Sequence, residues 1–301
     1  MELLLALPAP AKLNLFLHVI GRRADGYHEL QTAYTLIGLA DVLDFERRID
    51  DAIVREGDLV GSIDDDLAVR AARALNQFAG TAHGVTIGVT KRIPAGSGMG
   101  GGSSDAATTL IALNRLWDLR LSRSQLSAIG VRLGADVPFF LHGRNAYAEG
   151  VGERLTTIDV EPTLFAVIWP GVHVSTRDIF DDPGLTRNSK AMKIAALSAA
   201  AGGLAGGLAG ESAGGAFAFS SLGADELKND LESVARRRFP AIDEALNRLE
   251  RFGVARMTGS GSAVFIAAES RQRAQLAVAD LPPEWCSWVV EAVNEHPLAV
   301  W

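Results

Sequence analysis

Residues 96–104 read Gly-Ser-Gly-Met-Gly-Gly-Gly-Ser-Ser, preceded by Pro94-Ala95. The chemistry such a run could do is to hold an anion. Gly96, Gly98, Gly100, Gly101 and Gly102 remove the Cβ from one side of the loop and permit positive φ, so successive backbone N–H groups can converge on one point. An apolar pattern at helical spacing follows, Ala107, Leu110, Ile111, Asn114 and Trp117. The start of a helix adds unpaired N–H donors and the positive end of its dipole. Ser103 and Ser104 stand where they could cap that helix and reach a phosphate. The segment predicts a phosphate cradle.

Several kinds of loop share these glycines. Gly96, Gly98 and Gly101 give G-x-G-x-x-G, but a dinucleotide fold needs a second strand ending in an acid about 20 residues on. Here the segment after Trp117 reads as another helix. A Walker loop would have lysine where Gly102 stands. The H-R-D and D-F-G motifs of protein kinases are absent from the sequence. Positive charge must therefore come from elsewhere, and lysines are few: Lys12, Lys91, Lys190, Lys193 and Lys228. Lys12 lies beside Asn14 on the polar side of an alternating segment, a spacing that favours a solvated strand lysine. Asp136, in Leu133-Gly134-Ala135-Asp136-Val137-Pro138, is a candidate base, although spacing alone favours a helix N-cap before Pro138.

With 301 residues, 48% hydrophobic and 22% charged, the chain suits two soluble domains or one large one. Its net charge of −7 argues against a nucleic-acid surface and leaves small anionic ligands open. A single cysteine, Cys286, excludes disulfides within the chain and cysteine-based zinc sites. Between Trp285 and Trp288 it reads as a small buried hydrophobe. The first residues lack the basic region of a signal peptide, and no apolar run is long enough to span a bilayer. The expectation is a cytoplasmic protein.

The elements that must position these residues can be outlined. Leu13, Leu15, Leu17 and Val19 alternate with polar or bulky neighbours, the period of a half-buried strand. Asp25-Gly26 reads as the turn to the apolar run 30–39. Asp66 reads as the N-cap of a helix from Leu67 to Phe78, with Ala71, Ala72, Leu75 and Phe78 on its buried face. Residues 85–89 form a strand feeding the glycine loop, 124–133 a helix and 147–155 a hairpin. A buried strand, 164–169, opens the second half of the chain. Residues 195–215 are almost all Ala and Gly and read as a linker or insertion. Helical patterning covers 225–238 and resumes after Pro240; a strand then enters a second glycine loop, Gly259-Ser260-Gly261-Ser262. This order predicts an α+β fold.

Taken together, these motifs resemble those of the GHMP small-molecule kinases. Pro10-Ala11-Lys12-Leu13-Asn14, the central glycine loop and Thr258-Gly259-Ser260-Gly261 occur in the order of that superfamily. Asp25-Gly26-Tyr27-His28 and Gly134-Ala135-Asp136-Val137-Pro138 are similar to the branch whose substrate is a diphosphocytidyl-linked polyol. The resemblance implies a two-domain GHMP fold, 1–160 and 161–301, with the active site in the cleft between them. It implies ATP as co-substrate with Mg2+, small-molecule substrates, and no nucleic-acid or membrane partner. Lys12 and Asp136 become the catalytic pair, against the preference from spacing. Residues 94–104 (Pro94, Ala95, Gly96, Ser97, Gly98, Met99, Gly100, Gly101, Gly102, Ser103 and Ser104) and Asp66-Leu67 become the ATP site. Asn14, Tyr27, His28, Thr176, Phe180, Gly259, Ser260 and Gly261 become the substrate site, with cytosine between Tyr27 and Phe180. The motifs assign no magnesium ligand and no oligomeric state.

Three positions depart from the family pattern. Met99 replaces a leucine, Asp105 replaces an asparagine after the two serines, and Asp66 replaces an asparagine beside the adenine. Asp105 puts a carboxylate in the first turn of the phosphate-binding helix, where it favours the helix and would repel a phosphate.

Overall fold

Two long antiparallel strands, β1 (Leu3–Arg22) and β2 (His28–Arg48), run across the molecule and carry the site on their middle section. The computed structural model describes residues 2–192, 216–217, 223 and 226–301. After β2 come β3 (Ile53–Gly57), α1 (Leu67–Ala79), β4 (Gly84–Thr90), α2 (Gly101–Leu116), α3 (Arg123–Gly130) and α4 (Val137–His142). Next are β5 (Ala146–Gly150), β6 (Arg154–Thr157), β7 (Asp159–Val160), β8 (Leu164–Trp169) and α5 (Thr176–Phe180). Then follow β9 (Ala216–Phe217), α6 (Glu232–Arg238), α7 (Pro240–Leu249), β10 (Arg256–Met257), β11 (Val264–Ala268), α8 (Arg271–Ala277) and β12 (Cys286–Val293). The fold is α+β. One sheet runs β10-β11-β8-β12-β2-β4-β3, with β1 and β5 also paired to β2. It is continuous because β12, from the end of the chain, pairs with β8 along one edge and with β2 at Ile37 and Leu36.

The alternation in β1 does not mark a half-buried strand. Residues 11–19 are all buried, Lys12 and Asn14 included. The strand is covered on both faces and feeds three apolar clusters in turn. Leu4, Leu7 and Ala9 pack with α1, α2 and α4; Leu13, Leu15 and Phe16 pack with Phe165 and Phe265; Leu17 and Val19 pack with α6 and α7. Pro8 and Pro10 fit because β1 uses β2 as its ladder partner here and shifts register just after Pro10.

Asp66 does cap α1, accepting the N–H groups of Ala68 and Val69, and Gly80 closes the helix in the left-handed region. Phe78, expected on the buried face, is exposed. Cys286 is also exposed rather than buried, since it opens β12 at a strand end. The helix expected from 225 begins at Glu232. Residues 228–230 run beside β1 instead: the Asp230 carboxylate accepts the N–H of Val19, and the Asp230 N–H donates to the Leu17 carbonyl at 2.8 Å. The Ala/Gly-rich stretch 195–215 lies outside the described residues. Among the described residues no helix is long and apolar enough to cross a membrane.

Candidate active site

A cleft of about 1050 Å³ opens along the middle of β1, lined from both halves of the chain. Lys12, Asn14, Tyr27, His28, Asp66, Leu67, Asp136, Thr176, Phe180 and Gly259–Gly261 all face it. So does the glycine loop from Pro94 to Ser103, with Met99 as its exception. The Met99 side chain is fully buried in the core, while its carbonyl accepts the N–H of Lys12 at 3.0 Å. Ser104 does not line the cleft either. It lies inside the first turn of α2, completely buried, with no hydrogen-bond partner for its hydroxyl among the described residues. Neither serine caps α2; the N-cap is Gly100, in the left-handed region with φ 76°.

The two glycine loops are knitted together. The N–H groups of Ser262 and Ala263 donate to the carbonyls of Gly96 and Ser97 at 3.2 and 2.8 Å. Gly98 has φ +78°, and a Cβ there would collide with the carbonyl oxygen of Thr258. The loop is therefore glycine-rich partly to let the second loop approach and partly to free its amides.

Lys12 and Asp136 meet at the centre of the cleft. Lys12 Nζ donates to Asn14 Oδ1, stands 3.7 Å from Asp136 Oδ2 and lies 5.4 Å over the Tyr34 ring. Burial lowers the pKa of Lys12, and the Asp136 carboxylate opposes that shift. Asp136 occupies the N-cap position of α4 but makes no capping bond. Its φ of −85° and ψ of −14° are helical rather than the extended values a cap uses. The carboxylate accepts instead from the Tyr34 hydroxyl at 3.2 Å. Asn14 is fixed by its own N–H to Thr258 Oγ1 at 2.9 Å and by its amide to Thr32 Oγ1 at 2.9 Å. Sequence reasoning missed Tyr34, Thr32 and the hydroxyl of Thr258. Thr258 was legible within the T-G-S-G motif; the other two look like ordinary strand residues.

At one end of the cleft His28 stacks on Phe180, centroids 4.9 Å apart, while Tyr27 is 66% exposed. His28 is thus the ring that faces Phe180, at the end of the cleft where the resemblance implies a cytosine between Tyr27 and Phe180. Thr176 and Ser260 share a hydroxyl hydrogen bond of 2.8 Å that ties α5 to the second glycine loop. At the other end Arg55 pairs with Asp66 at 3.0 Å. Asp105 does not confront the phosphate loop with a bare charge. It pairs at 2.7 Å with Lys91, whose ammonium also contacts Asp41. Burial, with Asp41 adding to it against Lys91, pushes the Asp105 carboxyl up to about 7. No cluster of three His, Cys, Asp or Glu able to hold a metal occurs among the described residues. Magnesium needs no such cluster, since it is commonly held by one or two carboxylates together with substrate phosphates and water.

Residues 66–144 match the GHMP kinases N terminal domain and residues 218–287 the GHMP kinases C terminal domain. A 4-diphosphocytidyl-2-C-methyl-D-erythritol kinase of Ralstonia pickettii (strain 12J) is 49% identical over 294 residues, 97% of this chain and 95% of that protein. The chain belongs to the 4-diphosphocytidyl-2-C-methyl-D-erythritol kinase family of the GHMP kinases. A second member, from Janthinobacterium sp. (strain Marseille), is 48% identical over 97% of this chain and 96% of its own length. A solved 4-(cytidine 5'-diphospho)-2C-methyl-D-erythritol kinase superposes with a TM-score of 0.78 at 36% identity, covering 95% of this chain and 98% of that one. The homoserine kinase of Cytophaga hutchinsonii, TM-score 0.69 at 17% identity over 98% and 96%, shares the fold.

Proposed function

We infer that the protein transfers the γ-phosphoryl group of ATP to the tertiary 2-hydroxyl of 4-diphosphocytidyl-2-C-methyl-D-erythritol, in non-mevalonate isoprenoid precursor synthesis in the cytoplasm. The observation that carries this reading is near-full-length identity of 49% to a kinase of that name. The cleft agrees with it, since one cavity joins an amide-rich loop, a Lys–Asp pair and a ring-lined end. In this reading the chain to about residue 160 supplies the loop and the pair, and residues 161–301 supply Phe180 and the second glycine loop.

Phosphoryl transfer depends mainly on positioning and charge stabilisation. The amides of residues 96–102, the N-terminus of α2 and the Ser103 hydroxyl hold the phosphates. Asp136 accepts the proton of the attacking hydroxyl, and Tyr34 orients its carboxylate. Lys12, immobilised by Asn14, lies against the same hydroxyl and offsets negative charge on the transferring group. Mg2+ bound together with ATP would supply further neutralisation of the phosphate charge. His28 reads the edge of the cytosine, with Tyr27 and Phe180 as its aromatic neighbours.

The experiment is ADP release with three acceptors. Turnover with the diphosphocytidyl substrate should far exceed that with mevalonate or homoserine. Comparable or greater turnover with either alternative would overturn the reading.

A further inference from the structure

Arg187 lies outside the motifs that carry the family resemblance, yet all three of its guanidinium nitrogens donate hydrogen bonds at the aromatic end of the cleft. Its Nε donates to His28 Nε2 at 3.1 Å. One terminal nitrogen donates to the carbonyls of Phe180 and Asp182, both at 2.8 Å, and the other to Leu185 at 3.2 Å. The residue therefore fastens the chain that leaves α5, and with it Phe180, to the imidazole of His28.

The direction of the contact to His28 has a chemical consequence. A guanidinium carries donors alone and stays charged, so the nitrogen facing it must present a lone pair. With Nε2 accepting, the ring hydrogen of a neutral imidazole sits on Nδ1. Among the described residues Nδ1 has no hydrogen-bond partner, and His28 lines the cleft. Charge keeps the ring neutral as well: burial, then Arg187 and Arg22, lower its pKa, and Asp181 opposes them. The cleft is thus offered an N–H donor.

Pyrimidines differ at the atom such a donor would read. N3 of cytosine is an acceptor, whereas N3 of uracil carries a hydrogen, so an Nδ1–H fits the first and opposes the second. A mismatched or unpaired buried polar group lowers affinity by roughly tenfold or more, and the discrimination is lost if the tautomer is free to change. We propose that Arg187 is a specificity-determining positioning residue that holds His28 in the Nδ1–H tautomer against Phe180, so that the site accepts a cytosine nucleotide and rejects a uracil one. This rests on the cytosine-binding role proposed for His28.

The test has two readouts, neither of which needs turnover. Long-range 1H–15N correlation on the 15N-labelled wild-type protein should report Nδ1 protonated and Nε2 bare at neutral pH. Calorimetry with cytidine 5'-diphosphate and uridine 5'-diphosphate should give the cytidine nucleotide an advantage of roughly tenfold or more. Arg187→Gln should shift His28 toward Nε2–H and shrink that advantage several-fold. Arg187→Lys, which retains charge without the fork, should fall between the two. A wild-type His28 protonated on Nε2 would overturn the proposal, even if Arg187→Gln failed to fold. So would an undiminished cytidine preference in a folded Arg187→Gln whose tautomer had changed. If the kinase reading alone were wrong, the diphosphocytidyl acceptor would give no ADP release while the cytidine preference persisted.

Discussion

Lys12 Nζ stands 3.7 Å from Asp136 Oδ2, while the lysine donates its hydrogen bond to Asn14 Oδ1. The pair is therefore aligned without being closed. Asn14 pins the ammonium, Tyr34 pins the carboxylate, and an acceptor hydroxyl can donate to Asp136 while its oxygen lies against Lys12. A tight bidentate pair would instead have to be broken before each turnover.

Asp136→Asn keeps the shape and the Tyr34 contact but removes the proton acceptor. Turnover should fall by roughly 10²–10⁴-fold. Nucleotide affinity, measured by equilibrium binding, should change little. Near-normal turnover in this variant would remove Asp136 from the base role.

Lys12→Met removes the ammonium from the pair. Lys12 is buried and its pKa lowered chiefly by that burial. Removing one partner of a buried pair leaves the other uncompensated, but Asp136 is only partly buried and keeps its contact to Tyr34. The thermal midpoint should fall while kcat falls at least about a hundredfold. In the wild type the charged lysine is required, so the rate should decline with rising pH through a pKa below 10.5. That alkaline limb should be missing from the residual activity of Lys12→Met.

Much of the site was legible from residue type, and what escaped did so for physical reasons. The glycine loop, Asp66 and the T-G-S-G segment each announce a backbone requirement locally, and each lies in the cleft. Lys12 did not, because alternation in β1 imitates a half-buried strand when both faces are covered. Asp136 looked like a cap because it stands one residue before α4, and only its helical φ and ψ remove that role. Arg187 and Tyr34 act through side chains that meet partners 159 and 102 residues away, and no local pattern encodes such a meeting.

Phe180→Ala and Tyr27→Ala should differ. Phe180 carries the stacked His28 ring, whereas Tyr27 is largely exposed. Stacking a base on an aromatic ring is worth about 1–3 kcal/mol by alanine substitution. Phe180→Ala should raise KM for the diphosphocytidyl substrate at least tenfold, because it frees His28 as well. Tyr27→Ala should raise it less, and kcat should change little in either. A larger KM effect from Tyr27→Ala would show that Tyr27, and not Phe180, is the main aromatic support of the base.

Asp105→Asn tests the buried carboxylate pair on Lys91. Asp105 is raised from 3.8 to about 7, so between those values the folded protein binds more protons than the unfolded chain. Stability from this group is then greatest at low pH and is lost as pH rises through about 7. Each pKa unit corresponds to about 1.4 kcal/mol. The amide of Asp105→Asn does not titrate, so the substitution would remove that dependence and leave Lys91 paired with Asp41. Urea unfolding should find the variant equal to or more stable than the wild type at pH 8, with the difference shrinking toward pH 5. A variant less stable at pH 8 would mean that the Lys91 pair outweighs the burial of the second charge.

Alanine at two glycines separates the reasons for the loop's composition. Gly98 has φ +78° and no room for a Cβ beneath Thr258, so Gly98→Ala strains the backbone and pushes the two loops apart. The left-handed conformation alone costs an L-residue roughly 1–2 kcal/mol. Gly102 sits in the first turn of α2, without a positive φ, and its nearest neighbour to a new Cβ is Leu67 Cδ1 at 3.4 Å. There alanine gains up to about 1 kcal/mol of helix propensity. Gly98→Ala should lower the thermal midpoint and weaken ATP binding together. Gly102→Ala should hold or raise the midpoint, and any loss of ATP affinity must then come from a methyl group standing in the path of the phosphates. If Gly102→Ala keeps full ATP affinity, the phosphates do not approach α2 on that face, and the donors holding them lie earlier in the loop, at residues 96–101.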